Sequence, residues 1–319
     1  MGKKKAKNFG YGKRIGYAVN QALRERHGDG QFGTVSAHRN RFKVFRDFLK
    51  ERGVNDLADV SLEMVEEYAT QQTDQVAEGL LAAKTVKNRI STVNVVLGYM
   101  RGDQRLNVRP SQFVGRLNSV RKSAPLGLDI DAVEQAVTAL DDNGQGSVAM
   151  AIRFARGFGV RVAEAGLMDL RRVAREARRT GSINIIDGTK GGRKVDRWVR
   201  VGSRGKRLIE QALADHSETG KLVGDSKSFK SWYDHSYYEL GKVAPEYGVS
   251  TKFHDLRSAW ACDRYLEETG FPAPVIAGHR VAPKHRDAAA REKLAIELGH
   301  GRAQVLASYI GGVRGEPKK

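Results

Sequence analysis

The 319-residue sequence is short of several things, and each shortage removes a class of protein. It has a single cysteine, Cys262, so no disulfide can form within the chain, and a lone thiol fits a reducing cytosol. No Cys/His cluster has the spacing of a zinc site, and no metal or other cofactor is expected. No apolar run approaches the ~20 residues that span a bilayer, so no membrane association is expected. The opening stretch "MGKKKAKNFGYGKR" is basic but is not followed by an apolar core, so it does not read as a secretory signal. Acidic residues are also few, 37 against 55 Lys and Arg, which leaves a formal net charge of +18. Such an excess points to a polyanionic partner, because Lys and Arg neutralise phosphates and release counterions. A membrane surface or an acidic protein are its rivals.

What charge there is lies unevenly. Residues 1–50 hold 13 basic and 3 acidic side chains, residues 51–83 hold 1 and 8, and residues 84–123 hold 9 and 1. Two basic segments flank an acidic one. A charge run is often only a solvated face. Here the basic residues share helices with regular apolar positions, which suggests helices that turn a basic face towards one backbone.

The length suits two domains. Residues 1–30 show little sustained periodicity and read as a basic, partly flexible arm. From Thr34 to Arg52, Phe42, Phe45, Phe48 and Leu49 recur at helical spacing, with Thr34 as the expected cap and Gly53 as the stop. A second helix is expected from about Ser61 to Gln75 and a third from about Ala83 to Arg101, where Val86, Ile90, Val93, Leu97 and Met100 step by four and three. These make a small helical bundle over about 31–122. The stretch 109–127, with Pro, Gly, Ser and charge, reads as a linker. A second domain, about 126–319, opens with "DIDAVEQAVTAL" and "SVAMAIRFARGFG" as helices. "SINII" (182–186) and "RWVRV" (197–201) are then β-type runs joined by a glycine-rich turn, a hairpin. The remainder reads as helical. The fold class expected is mainly α with a small antiparallel β-sheet.

Four stretches carry candidate chemistry. "GFGVRVAEAG" places Arg161 where a helix should start, and "DGTKGGRK" places Lys190 in the hairpin turn. "FHDLRSAW" puts His254 and Arg257 three apart, on one helical face. "LGHGRAQVLASY" holds His300 and Tyr309. Each has an ordinary explanation alone: Arg161 can pair with Glu164, Lys190 can be a solvated turn residue, and His300 can end a helix. Their order and spacing are harder to explain away.

In these residues the chain resembles the tyrosine site-specific recombinases, the family of phage integrases, and the resemblance runs from about residue 34 onward. It implies a helical core-binding domain followed by a catalytic domain, the two clamping duplex DNA. It implies that Arg161, Lys190, His254, Arg257, His300 and Tyr309 are catalytic, and that the reaction cuts and rejoins DNA through a 3′-phosphotyrosine intermediate. On that reading the two arginines fork the phosphate oxygens, His254 is the general base, Lys190 is the acid for the leaving 5′-oxygen, and His300 binds the phosphate. No metal or nucleotide is needed. The implied partner is double-stranded DNA with inverted-repeat core sites, bound by a homotetramer, with a DNA-bending or directionality factor as a further possibility. The implied location is the cytoplasm, on the nucleoid. The alternatives are a catalytically inactive DNA-binding relative and a type IB topoisomerase-like relaxing enzyme.

Two departures from the family pattern stand out. The gap from Arg257 to His300 is longer than usual, which reads as an inserted loop and helix without an assigned role. Within it "AGHR" sets His279 as a decoy, but nine residues beyond it is Ala288, which is no nucleophile. Ten residues follow Tyr309, a shorter tail than the one that many relatives dock on a neighbouring subunit. Finally, nine residues of unbroken helix turn about 900° and rise about 13 Å, so His300 and Tyr309 would face apart. The chain must bend between them, with Gly301 as the expected loosening point.

Overall fold

The computed structural model describes residues 6–28, 30–192, 195–224 and 228–315. The chain divides into two compact units, residues 1–118 and 119–319. Each has its own apolar core.

The first unit is all helix: α1 (Ile15–His27), α2 (Phe32–Glu51), α3 (Leu62–Ala77), α4 (Ala83–Arg101) and the short α5 (Pro110–Val114). The apolar periodicity places its core. Phe42, Phe45, Phe48 and Leu49 from α2 meet Val65, Tyr68 and Ala69 from α3 and the Val86–Met100 stripe of α4. Phe45 and Phe48 both pack edge-on against Tyr68, at ring-centroid distances of 4.9 and 5.4 Å. Such pairs stabilise beyond the area they bury. Ser61 caps α3 by accepting from the Met64 amide at 3.4 Å. Thr34, by contrast, lies inside α2. That helix starts two residues earlier, where the Gln31 carbonyl accepts from the Val35 amide.

The flexible arm expected over residues 1–30 is corrected by α1. Its Ile15, Ala18, Val19, Ala22 and Leu23 form a helical stripe and are buried in the first core. Two of the five are alanines, which give little hydropathy contrast in a basic segment. Upstream, Asn8 adopts a left-handed conformation (φ 50°) and is fully buried. Its amide donates to Asp56 Oδ1 and its side-chain oxygen accepts from the Leu57 amide, which ties the N-terminal stretch to the loop before α3. Lys3, Lys4 and Lys5 lie outside the described residues.

The second unit contains α6 (Ile130–Asp142), α7 (Gly146–Phe158), α8 (Val162–Leu167), α9 (Leu170–Thr180), the strands β1 (Ser182–Asn184) and β2 (Trp198–Arg200), α10 (Ser203–Asp215), α11 (Phe229–Val243), α12 (Phe253–Thr269), α13 (Pro274–Ala277), α14 (Lys284–Glu297) and α15 (Ala307–Ile310). β1 and β2 pair antiparallel, with Ile183 opposite Val199 and both fully buried. The two-stranded sheet packs beside helices rather than forming a layer of its own. α12 is the central helix. Phe253, Leu256, Ala259, Trp260, Cys262 and Tyr265 are buried along it, which leaves few of its faces in water. Asp255 at its start receives Arg121 and the Leu126 amide, so the entry into this unit is pinned beside His254. The extra residues between Arg257 and His300 are α13, a loop and the 14-residue α14.

Candidate active site

The site is built around one buried carboxylate. Glu164, in the first turn of α8, is fully buried and takes three guanidinium groups. Arg197, which directly precedes β2, meets it in a fork, Nη1 to Oε1 at 2.8 Å and Nη2 to Oε2 at 2.9 Å. Arg161 at the N-cap of α8 donates from Nη1 to Oε1 at 2.5 Å, and its own amide donates to Oε2 at 2.7 Å. Arg257 of α12 reaches Oε2 at 3.4 Å. Burial alone would raise the Glu164 carboxyl, but the Arg197 hydrogen bonds and the charges of Arg197, Arg257 and Arg161 override it and hold it at about 2.

Arg257 is itself buried, 1 % exposed. Its Nη1 donates to the Gly159 carbonyl as well as to Glu164, and its Nη2 to the Leu298 carbonyl. Three of five donors are thereby used, and its Nε is left buried without a partner. Desolvation lowers its pKa to about 10, although the neighbouring Tyr309 and Glu164 oppose that shift. The guanidinium is held by backbone atoms from two elements, so its place depends on the packing of the whole unit.

Lys190 is brought in by the hairpin. It is exposed in a short turn, Lys190–Gly192, and lines a cavity of about 300 Å³ together with Arg161, Gly188, Tyr233, Tyr237, His254 and Arg257. Gly188 explains the approach. It has φ +63°, and a Cβ there would sit 2.2 Å from the Ala163 carbonyl oxygen, so only glycine lets the turn lie on the start of α8. Arg193 and Lys194, rival cations of the same turn, lie outside the described residues. A larger cavity, about 660 Å³, opens at the start of α10 and includes none of the six expected residues.

Tyr309 comes from the other end of the unit. α14 ends at Glu297, and the His300 amide bonds back to the Ala295 carbonyl at 2.7 Å while Gly299 bonds to Ile296 at 2.8 Å. This is a left-handed helix stop, with Gly299 at φ +66°. The expected bend between His300 and Tyr309 exists and begins at Gly301: the chain bends there and is extended at Arg302, after the left-handed Gly299 has ended α14 ahead of His300. A turn of 3-10 helix then leads into α15, and Tyr309 folds back so that its hydroxyl lies 2.9 Å from His300 Nε2. The Tyr309 ring is 4.7 Å from the His254 ring, and the Arg257 guanidinium carbon is 5.6 Å from its centroid. The tyrosine is 3 % exposed.

Burial and the surrounding arginines make both histidines poor bases for a free proton. His300 is lowered to about 4, first by desolvation and then by Arg257, Arg161, Arg197 and His254. His254 is lowered by desolvation and then by Arg257, Arg121 and Arg161, with Asp255 opposing. Neutral imidazoles can accept hydrogen bonds, with the tautomer set by the partner. All six sequence-expected residues therefore fall in one region. Arg161, Lys190, His254 and Arg257 share the cavity, while His300 and Tyr309 pair with each other and reach it through His254 and Arg257. The decoy His279 lies in the loop between α13 and α14 and does not line the cavity. Sequence reasoning treated Glu164 only as a partner of Arg161 and passed over Arg197 altogether. The three-residue spacing from Arg161 to Glu164 was legible, whereas nothing local marks Arg197 in "DRWVRV" as the buried second arm.

The architecture, a helical bundle followed by an α-rich unit with one hairpin and a terminal tyrosine, is the tyrosine recombinase fold. Solved structures share it over nearly the whole chain. A lambda integrase fragment, solved as a dimer bound to a COC′ core site, is 14 % identical, with 94 % of this chain and 96 % of that one covered and a TM-score of 0.57. The Tn1549 transposon integrase, in complex with transposon right end DNA, is 14 % identical over 91 % and 94 %, with a TM-score of 0.58. The XerH site-specific recombinase, bound to its difH substrate, is 14 % identical over 92 % and 81 %, with a TM-score of 0.57. No curated protein sequence matches. Two family models do: "Phage integrase, N-terminal SAM-like domain" over residues 32–101 and "Integrase" over residues 119–263. The chain belongs to the phage integrase family of tyrosine recombinases. The second model's match includes Arg161, Lys190, His254 and Arg257 and stops before His300 and Tyr309. Among the described residues no helix is long and apolar enough to cross a membrane, and no group of three or more His, Cys, Asp or Glu could hold a metal ion.

Proposed function

We propose that this protein cuts and rejoins duplex DNA at specific sites through a 3′-phosphotyrosyl intermediate on Tyr309. The observation that carries the reading is a phenol hydrogen-bonded to a neutral imidazole and set beside a buried arginine. A phenol near pKa 10 is a weak nucleophile, and phosphoryl transfer needs positioned positive charge more than covalent help. Tyr309 would give its proton to an imidazole as its oxygen attacks phosphorus. The sequence pointed to His254 as that base. The 2.9 Å contact favours His300 as the first acceptor, with His254 against the ring. The bond from phosphorus to the 5′-oxygen breaks, and that oxygen leaves as a hydroxyl with a proton from Lys190. Arg161 and Arg257 would neutralise the non-bridging oxygens. Attack by another 5′-hydroxyl reverses the steps and needs no outside energy.

The rest of the molecule fits a DNA partner. Residues 31–122 would be the core-binding domain, with Arg39, Lys43, Lys50, Lys84 and Lys87 exposed on α2 and α4. Residues 126–319 would be the catalytic domain. Rejoining two duplexes implies inverted-repeat core sites, four protomers on the DNA and, for directionality, an accessory DNA-bending factor.

The test uses duplexes enriched from a random-sequence library by SDS-resistant attachment to the parent protein. Tyr309→Phe should bind these duplexes as the parent does and form no adduct. Adducts that persist in Tyr309→Phe would sink the assignment. Relaxation of supercoiled plasmid without any preferred site would favour the topoisomerase-like alternative.

A further inference from the structure

The segment between α12 and His300 buries a second charged pair, away from Glu164. Asp287 and Arg291, one turn apart on α14, are each 4 % exposed. Arg291 Nε lies 3.0 Å from both Asp287 oxygens, and the buried Tyr265 hydroxyl of α12 donates to Asp287 Oδ1 at 2.7 Å. Held this way, the guanidinium points its two remaining nitrogens at consecutive carbonyls. Nη1 donates to Gly311 at 3.1 Å and Nη2 to Gly312 at 3.0 Å. Those carbonyls stand two and three residues beyond Tyr309. Arg280, in the loop before α14, continues the grip: its amide donates to the Arg314 carbonyl at 2.8 Å and its Nε to Val313 at 3.2 Å. Gly311 also packs on Val275 of α13 so closely that a Cβ would fall 2.7 Å from the Val275 amide nitrogen.

The helix that carries Tyr309 cannot fix the tyrosine by itself. α15 has four residues, one turn, and a single turn has almost no stability of its own. Its position must come from its ends. The leading end is tied where the Arg121 amide donates to the Ala307 carbonyl at 2.8 Å. The trailing end is tied by Arg291. A buried ion pair is a costly way merely to fill space, and apolar side chains do that as well or better. Only a planar fork can hold two successive carbonyls at a set distance and orientation.

We propose that Arg291, oriented by Asp287 and Tyr265, is a positioning residue for Tyr309: it clamps the backbone just past the tyrosine and so sets where the hydroxyl stands. The inserted segment between Arg257 and His300 thereby gains a role. The proposal rests on reading Tyr309 as the nucleophile. Arg291 would touch neither DNA nor the reacting atoms.

The test compares the parent with Arg291→Gln on the enriched duplexes described above. A nucleophile displaced by about 1 Å loses on the order of 100-fold in rate. Arg291→Gln should therefore form adduct about 100-fold more slowly with DNA in excess, while its affinity for the same duplex is unchanged. Hydrogen exchange by mass spectrometry on the free protein should speed up over residues 307–315 and not over α8 or the first half of α12. Arg291→Lys, which keeps the charge but loses the fork, should fall between. Should Arg291→Gln unfold because Asp287 is left unpaired, the paired change Asp287→Asn with Arg291→Met removes both charges and must show the same split. An unchanged adduct rate, or rate and affinity falling together, overturns the proposal. Failure of the parent to form any adduct would instead count against the reading of Tyr309.

Discussion

The two units solve burial in opposite ways. Among the described residues, the first unit buries no charged side chain at all. Its buried polar groups are Asn8, Gln72 and Thr92, and its core is aromatic and aliphatic. The second unit buries Arg156, Arg197, Arg257, Arg264 and Arg291 together with Glu164, Glu239, Asp287 and Glu297. An apolar core is the less expensive way to hold helices together, because a buried charge must recover its desolvation from well-made partners. The first unit needs only a stable frame that shows basic side chains to solvent. The second unit holds cations at fixed places inside low-dielectric surroundings, where a field acts most strongly. Buried charge in the second unit thus serves two ends: the Glu164 cluster inside the candidate site, and pairs such as Asp287 with Arg291 outside it.

That contrast can be broken in order of expected effect. The largest concerns Lys190, the one expected catalytic cation that is exposed rather than buried. As the acid for the leaving 5′-oxygen it should matter by about 10²–10⁴-fold in cleavage rate. Replacing that oxygen by sulfur gives a leaving group that departs without a proton. Lys190→Ala should then cleave ordinary DNA very slowly and sulfur-bridged DNA at nearly the parent rate. Equal slowness on both substrates would remove Lys190 from the role.

Next comes Glu164. Taking one partner from a buried charge cluster costs about 3–5 kcal/mol, so Glu164→Ala should lower the stability of the second unit by that order. Adduct formation should fall as well, since Arg161, Arg197 and Arg257 lose their common anchor. A denaturant titration that shows a loss below about 1 kcal/mol would mean the cluster relaxes into solvent, contrary to its burial.

A smaller change tests the apolar side. Ile90 is fully buried in α4, and Ile90→Val should cost about 0.5–1.5 kcal/mol with adduct formation unaltered at temperatures where the protein is folded. A slowed reaction at full folding would show that the first core does more than support a surface.

The last test is confined to acid pH, outside the neutral range in which the others are read. The folded pKa of His300 lies below its unfolded value, so the unfolded chain binds the proton more readily. Stability from this group is complete above about 6.5 and is lost as pH falls towards about 4. Glu164 acts lower, between its ordinary value and about 2. His300→Gln should therefore flatten the decline of melting temperature between about pH 6.5 and 4 and leave the steeper loss below it. An unchanged profile in that window would show that His300 is not the group that charges there.

Fold class and site were legible to different depths. The α2, α3 and α4 stripes, the hairpin and the helix carrying His254 and Arg257 could be read from period and turn residues, because such signals are local. The arm was misjudged because alanines hide an apolar face, and Asn8 anchors through contacts 48 and 49 residues away. The six candidate residues were readable because motif order survives in the chain, whatever the distances become in space.

By itself, the sequence determined the mainly helical class, the split of charge between segments and the identities of the residues now gathered around Tyr309. Periodicity and net charge belong to the chain before it folds. Only the tertiary structure decided that Glu164 would bind three arginines, that Arg197 would be one of them, and that Arg291 would grip the carbonyls after Tyr309. Those are contacts between elements tens of residues apart, and their partners are chosen by packing geometry and by the need to pair every buried charge.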